Sequence, residues 1–179
     1  AGGTGRSIVF ALVGRGARVM IINRTIDTAR ELAEHVNKHF RVDLATFGDE
    51  GLIPEMVSIA DVVINVSTKG AVGALESYSP LAQAILPATE VNIENNRRQA
   101  TRVLHSMKGD TIVSDIVLRK DKTPLLLSAE NAGFTTLDGV PMVVRQGVEA
   151  FSILHHDILE ERGISRENVY EIMKNAAGL

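Results

Sequence analysis

Gly2 and Gly5 stand three residues apart in the opening stretch AGGTGRS, residues 1–7. This is the spacing of the second and third glycines in a Gly-x-Gly-x-x-Gly loop that seats a dinucleotide pyrophosphate. In such a loop Gly2 lets the backbone approach the pyrophosphate, and Gly5 lets the following helix pack on the sheet. The helix N-terminus supplies free N–H donors and the positive end of its dipole. A helix-like apolar stretch does follow, and then a β-branched run ending at Asn23, about 20 residues on, where the ribose-binding residue of such a loop falls. The chain carries Asn23, Arg24 and Thr25 there instead of an acid. An acid would repel a 2′-phosphate, whereas the Arg24 guanidinium attracts one and can stack on adenine. This chemistry favours NADP over NAD. A plain turn followed by a solvated arginine beside a helix cap is the competing reading of the same residues.

Other chemistry-bearing clusters carry less. His155 and His156 are adjacent, so on a helix they point about 100° apart and make a poor chelate. His35 and His39 have the i,i+4 spacing of a metal pair but no third ligand beside them. Both pairs read as surface residues, and no metal site is expected. Ser7 and Ser67 lack a matching His–Asp arrangement for nucleophilic catalysis. The run NNRRQATR (residues 95–102) lacks interleaved aromatics. With a net charge of −3 for the whole chain, it reads as a solvated helix face and not as a nucleic-acid surface.

Elements that could position the opening loop alternate along the chain. Strand-like runs are ARVMIIN (17–23), FRVDLATF (40–47), ADVVINVS (60–67) and DTIVSDIVL (110–118). Between them, residues 7–17 read as a helix stopped by Gly14 or Gly16. Residues 25–40 place Ala29, Leu32, Ala33, Val36 and Phe40 on one helical face, with Thr25 or Asp27 as cap. Residues 79–109 read as mostly helical with a break at Pro87, and 123–133 and 140–163 as two further helices. A Ser165-capped helix closes the chain. This alternation predicts an α/β fold: a Rossmann-type doubly wound parallel sheet with helices on both faces. The 179 residues are 45% hydrophobic and 23% charged, enough for one domain over 1–179 with no linker. The chain has no cysteine, which excludes a disulfide framework and fits a reducing cytoplasm. No apolar run reaches the roughly 18 residues of a membrane span, so no membrane association is expected. The fingerprint's first strand would precede Ala1, near the middle of the sheet. The chain is therefore expected to begin inside its loop, since without that strand the sheet would have an unpaired central gap.

Five stretches, in order, resemble the C-terminal NADP-binding domain of the shikimate dehydrogenases, a family that includes quinate dehydrogenases. AGGTGRS resembles the family's glycine loop, and NRTIDTARELA its Asn-Arg-Thr motif and following helix. DVVINVSTKG, SDIVLRKDKTPLLLSAENAG and DGVPMVVRQGVEAF resemble three later family segments, the last ending in the family's Gln-bearing helix. The resemblance covers Ala1 to about Leu154. It implies that Gly2, Gly3, Thr4, Gly5 and Arg6 line the pyrophosphate, and that Asn23, Arg24 and Thr25 hold the 2′-phosphate. It further implies that Ser67, Thr68 and Lys69 contact the cofactor, that Ile116 and Gly139 flank the nicotinamide, and that Gln146 hydrogen-bonds a substrate hydroxyl.

The implied activity is NADP-dependent interconversion of 3-dehydroshikimate and shikimate by hydride transfer, a cytoplasmic step toward chorismate and the aromatic amino acids. The implied substrate is a shikimate-like small molecule, and the resemblance admits a homodimer. The family's catalytic Lys and Asp lie in an N-terminal substrate domain, so no residue of 1–179 is expected to be catalytic. The chain departs from the family at Leu118, where Tyr is usual, and at Leu154, where Trp is usual. Leucine cannot make the hydrogen bond of a tyrosine hydroxyl. This keeps two alternatives open: a dehydrogenase of quinate or another hydroxy acid, and a non-catalytic regulatory module that binds cofactor or ligand.

Overall fold

The computed structural model describes residues 2–178; Ala1, the first residue of the quoted glycine loop, and Leu179 lie outside the described residues. Inter-residue contacts divide the chain into a larger unit through Leu137 and a smaller one from Asp138.

In the larger unit, strands and helices alternate: α1 (Gly3–Val13), β1 (Val19–Ile22), α2 (Ile26–Phe40), β2 (Ala45–Gly48), α3 (Ile53–Ile59), β3 (Val62–Asn65), α4 (Glu90–His105), β4 (Ile112–Asp115), α5 (Pro124–Asn131) and β5 (Thr135–Leu137). Every strand pair is parallel, as the alternation requires. The strands form two separate sheets, β1–β2 and β3–β4–β5.

Apolar periodicity explains how each sheet is covered. On α2 the expected stripe Ala29, Leu32, Ala33 and Val36 is buried, and it packs with Val9 and Val13 of α1 against Ile21 and Ala45 of the first sheet. Asn37 at the end of α2 fixes the entry to β2: its Oδ1 accepts from the N–H groups of Leu44 and Ala45, and its Nδ2 donates to the Ala45 carbonyl. A second core joins Ile53 and Val57 of α3, Ala100, Val103 and Leu104 of α4, Val113 of β4, and Leu125 and Ala129 of α5.

Several elements differ from the sequence reading. Residues 79–88 are turn, bend and irregular chain, not helix. Buried Leu81 and Ala82 imitate a helical stripe, but Asn96 of α4 takes over the backbone groups here. Its Oδ1 accepts from the Ser79 N–H, and its Nδ2 donates to the carbonyls of Ser79, Ala82 and Gln83. The helix expected over 7–17 starts at Gly3. β5 and α3 were not anticipated; β5 spans only three residues, too few for an alternation to register.

The smaller unit holds α6 (Val140–Leu154), α7 (His156–Glu161) and α8 (Arg166–Ala176). Val144, Val148, Leu159 and Val169 form its core. The continuous helix expected over 140–163 is divided at His155, whose φ of −118° and ψ of 24° leave the helical region. Ser165 caps α8 as expected, in a reciprocal capping box with Asn168.

Candidate functional site

The glycine turn places an open helix end at the start of the unit. Gly2 is the N-cap of α1, and no side chain caps it. The first N–H groups of a helix have no intrahelical partner, so those of α1 remain available to an anion. No acidic residue sits in this first turn to compete for them. A Cβ built on Gly2 or Gly3 would meet no heavy atom within 4 Å, so both glycines face open space. Gly5 is buried, while Thr4 and Arg6 are exposed.

The end of β1 carries Asn23, Arg24 and Thr25. The Asn23 backbone N–H donates to the Gly48 carbonyl, continuing the ladder one residue past the strand. Its Nδ2 donates to the Thr25 carbonyl at 2.9 Å, which bends the chain into α2. Thr25 is the N-cap of α2, but its side chain accepts no hydrogen bond from the helix. Arg24 is exposed and forms no ion pair among the described residues. It borders a cleft of about 910 Å³ that is also lined by Asp49, Glu50, Gln83, Gln99 and Arg102.

The ends of β3 and β4 are joined by a buried polar network. Asn65 and Asp115 are register partners. Asn65 Nδ2 donates to Asp115 Oδ1 at 2.9 Å and to the Lys69 carbonyl at 3.1 Å. Asn65 Oδ1 accepts from the Ser67 N–H and from its hydroxyl at 2.7 Å. Asp115 Oδ1 also accepts from the Val117 N–H, and Oδ2 accepts from the Thr123 hydroxyl at 2.7 Å. Thr123 in turn caps α5 through the Leu126 N–H. Asp115 is 0% exposed. Burial pushes its carboxyl above the ordinary range, against the opposing pull of the hydrogen bonds from Thr123, Val117 and Asn65.

This network gathers Ser67, Thr68, Lys69 and Ile116 at one place. Ile116 is tied in through its N–H, which donates to the Asn65 carbonyl. Ser67 and Thr68 are exposed, and Ile116 is half-buried. Lys69 turns inward: its Nζ donates to Glu50 Oε1 and to the Ala82 carbonyl, each at 2.7 Å. Arg119 closes the other side of the loop, donating to the Gly70 and Glu76 carbonyls and to Glu76 Oε1.

Gly139 and Gln146 belong to the smaller unit. Gly139 is the N-cap of α6, and Gln146 is exposed on that helix. Leu118 of the larger unit is 51% exposed and Leu154 of the smaller is 78% exposed.

Sequence reasoning missed Asp115, Thr123, Glu50 and Arg119. A signal existed for Thr123, since Thr-Pro before an apolar run marks a helix start. Asp115 had none of that kind, because its main partner lies 50 residues away. The solvated-face reading of residues 95–102 holds for Arg97 and Arg98, which pair with Glu94 of their own helix. It does not hold for Asn96, which is buried.

Parallel strands alternating with helices, a helix opened by glycines, and polar residues at the strand ends define a Rossmann-type α/β unit. Comparison with known proteins narrows this class. No family model matches the chain. A shikimate dehydrogenase (NADP+) of Alkaliphilus metalliredigens is 31% identical over 156 residues, covering 86% of this chain and 47% of that protein. The solved shikimate 5-dehydrogenase of Listeria monocytogenes, in complex with shikimate and NAD, superposes with a TM-score of 0.66 at 25% identity, covering 90% of this chain and 52% of the other. A quinate dehydrogenase of Corynebacterium glutamicum in complex with NAD shares the fold, with a TM-score of 0.68 at 24% identity over 96% of this chain and 51% of the other. Over this stretch the chain is similar in sequence to shikimate dehydrogenases, and it shares its fold with the quinate dehydrogenase. It spans about half the length of the curated relatives it matches.

Proposed function

We propose that residues 1–179 are the NADP-binding half of a shikimate dehydrogenase-type oxidoreductase. The observation that carries this reading is the presence of both an uncapped, glycine-opened helix end and, at the end of β1, an exposed arginine that forms no ion pair among the described residues. It is supported by identity to NADP+-named shikimate dehydrogenases along 86% of the chain.

The residues present fit the cofactor's chemistry. Gly2, Gly3, Thr4, Gly5 and Arg6 surround the pyrophosphate, whose charge the α1 N–H groups neutralise. Arg24 pairs with the 2′-phosphate, helped by Asn23 and the uncommitted Thr25 hydroxyl. Ser67, Thr68 and Lys69 contact the cofactor from the end of β3. Ile116 and Gly139 flank the nicotinamide, and Gln146 hydrogen-bonds a substrate hydroxyl. When bound, the cofactor supplies hydride exchange between nicotinamide C4 and the substrate's alcohol carbon. The chain's own contribution is to bind and orient it, bringing the reacting carbons into contact distance. No residue of 1–179 is assigned the proton transfer, which belongs to a substrate domain of the same protein. In this reading the protein acts in the cytoplasm on a shikimate-like hydroxy acid and can form a homodimer. No helix of the described residues is long and apolar enough to cross a membrane.

Leu118 favours one second reading. A half-exposed leucine stands where the resemblance places a substrate-binding tyrosine, which suits quinate or another hydroxy acid lacking one hydrogen-bonding group.

The test, made on the full-length gene product, is reduction of NADP followed by absorbance of the reduced nicotinamide, with shikimate as substrate. Quinate and NAD run as parallel arms. Shikimate-dependent NADPH formation supports the first reading, and turnover with quinate alone supports the second. NADPH binding without turnover of either points to a non-catalytic module.

A further inference from the structure

Strands β3 and β4 pair directly and in register, so the chain leaving one stands beside the chain leaving the other. The two are held differently. After β3, residues 68–78 fold on themselves: the Ala71 N–H donates to the Thr68 carbonyl, the Gly70 and Tyr78 N–H groups to the Leu75 carbonyl, and the Glu76 N–H to the Gly73 carbonyl. Tyr78 is buried, and its hydroxyl donates to the Ile85 carbonyl. After β4, the N–H groups of Ile116 and Val117 are tied to the Asn65 carbonyl and to Asp115 Oδ1. From Leu118 to Lys122, no backbone group is hydrogen-bonded among the described residues.

One side chain spans the two segments. Arg119 Nη1 donates to the Gly70 carbonyl at 3.0 Å and to the Glu76 carbonyl at 3.1 Å, and Nη2 donates to Glu76 Oε1 at 2.9 Å. The Arg119 side chain is 15% exposed. A planar guanidinium holds several acceptors in one fixed fork, which an ammonium on a flexible stem does not. At the far end of the segment Lys122 pairs with Glu130 of α5. Directly before Arg119 stands the half-exposed Leu118, at the carboxyl end of the strands, where ligands bind in an open α/β sheet.

We infer that Arg119 is a positioning residue: it locks the segment that carries Leu118 onto the self-supported loop after β3, and so fixes the wall that faces the substrate. The inference rests on the proposed shikimate dehydrogenase-type role. Because the loop after β3 keeps its own bonds, losing Arg119 frees the Leu118 side and leaves the proposed cofactor contacts at Ser67, Thr68 and Ile116 in place. The effect therefore falls on the substrate and spares the cofactor.

The experiment uses the full-length gene product, with shikimate or quinate, whichever the parent turns over. Misplacing a group at a site costs up to about a hundredfold in rate. Arg119→Met should raise KM for the substrate by roughly tenfold while the Kd of NADPH stays within about twofold. Arg119→Lys keeps the charge without the fork and should fall between parent and Arg119→Met; it decides the matter where Arg119→Met fails to fold. Glu76→Ala separates positioning from direct contact. If Arg119 bound the carboxylate of the substrate, removing its counter-charge would lower KM. If Arg119 is a clamp, the two carbonyl acceptors remain, and KM stays the same or rises by a smaller factor than in Arg119→Met.

A second readout needs no turnover. Lys120 is exposed and lies in the segment that Arg119 holds, so limited trypsin digestion should cleave after Lys120 several times faster in Arg119→Met than in the parent, within the usual range for a lost charge-assisted hydrogen bond. Equal cleavage rates, an unchanged KM in Arg119→Met, an equal loss of NADPH and substrate binding, or a lower KM in Glu76→Ala overturns the inference. Parent protein that turns over neither substrate defeats the proposed function, while the cleavage rates still decide whether Arg119 holds the segment.

Discussion

Asn65 Nδ2 and Asp115 Oδ1 lie 2.9 Å apart at the ends of two neighbouring parallel strands. This one hydrogen bond joins the loop after β3 to the loop after β4, and Asp115 extends the link to the N-terminus of α5 through Thr123. Both side chains are buried, so the network orders the loops from beneath and leaves Ser67 and Thr68 exposed.

Removing the carboxyl should therefore cost more than its volume. Asp115→Ala strands the Asn65 amide, the Val117 N–H and the Thr123 hydroxyl. Each unsatisfied buried group costs about 1–3 kcal/mol, so a loss of roughly 3 kcal/mol or more in urea unfolding is expected. Asp115→Asn keeps an acceptor for Asn65 and Val117 and should lose much less. The two proteins should also differ in pH dependence. Because burial raises the folded-state carboxyl above the ordinary value of 3.8, the folded protein binds more protons than the unfolded chain between those two values. The contribution of Asp115 is then greatest at low pH and declines as pH rises through the raised value. Unfolding titrations should show Asp115→Asn gaining on the parent over that rise. A parallel offset at every pH would show that Asp115 is not perturbed.

Local patterns made much of the frame legible and left the network hidden. The α2 stripe and the Ser165 cap depend on residues three or four apart, so periodicity and capping chemistry found them. Asn65 stood out through its motif, but its partner could be found only once β3 and β4 paired in register. Residues 79–88 misled for the opposite reason. Their buried apolar residues suggested a helix, while the backbone there is satisfied by the Asn96 side chain and not by helical bonds. The Lys69–Glu50 pair was hidden likewise, since the partner of Lys69 lies 19 residues earlier in the chain.

Arg24 is the residue proposed to set the cofactor preference. It is exposed and free of ion pairs among the described residues, so Arg24→Ala should leave stability nearly unchanged. A charge-assisted hydrogen bond to the 2′-phosphate is worth about 1.5–3 kcal/mol. Calorimetry should show NADPH weakened by that amount and NADH hardly affected. Equal losses for both would place Arg24 against a part of the cofactor they share.

Leu118 tests the substrate. Its side chain is 51% exposed, so Leu118→Tyr has room without disturbing Asp115, three residues earlier in the chain. If the substrate is shikimate-like, the added hydroxyl supplies a hydrogen bond worth about 0.5–1.5 kcal/mol, and kcat/KM of the full-length protein for shikimate should rise by roughly twofold to about tenfold. A fall with shikimate, together with unchanged turnover of quinate, would assign the pocket to a substrate that needs no such bond.

Gly70 joins loop geometry to the buried network. Its φ is +92°, and its N–H donates to the Leu75 carbonyl at 2.8 Å while its carbonyl accepts from Arg119. A Cβ there would stand 3.3 Å from the Thr123 Cβ, the residue that bonds Asp115 and caps α5. Gly70→Ala should thus incur both the left-handed backbone penalty, about 1–2 kcal/mol, and crowding that pushes on the Asp115–Thr123 bond. Gly16 is the matched control: its φ is +83° and its Cβ would meet nothing within 4 Å. Urea unfolding should show Gly70→Ala losing clearly more than Gly16→Ala. Equal losses would mean that Thr123 yields freely and that the network tolerates movement of the β3 loop, which would also weaken the case that this loop is held to a fixed position.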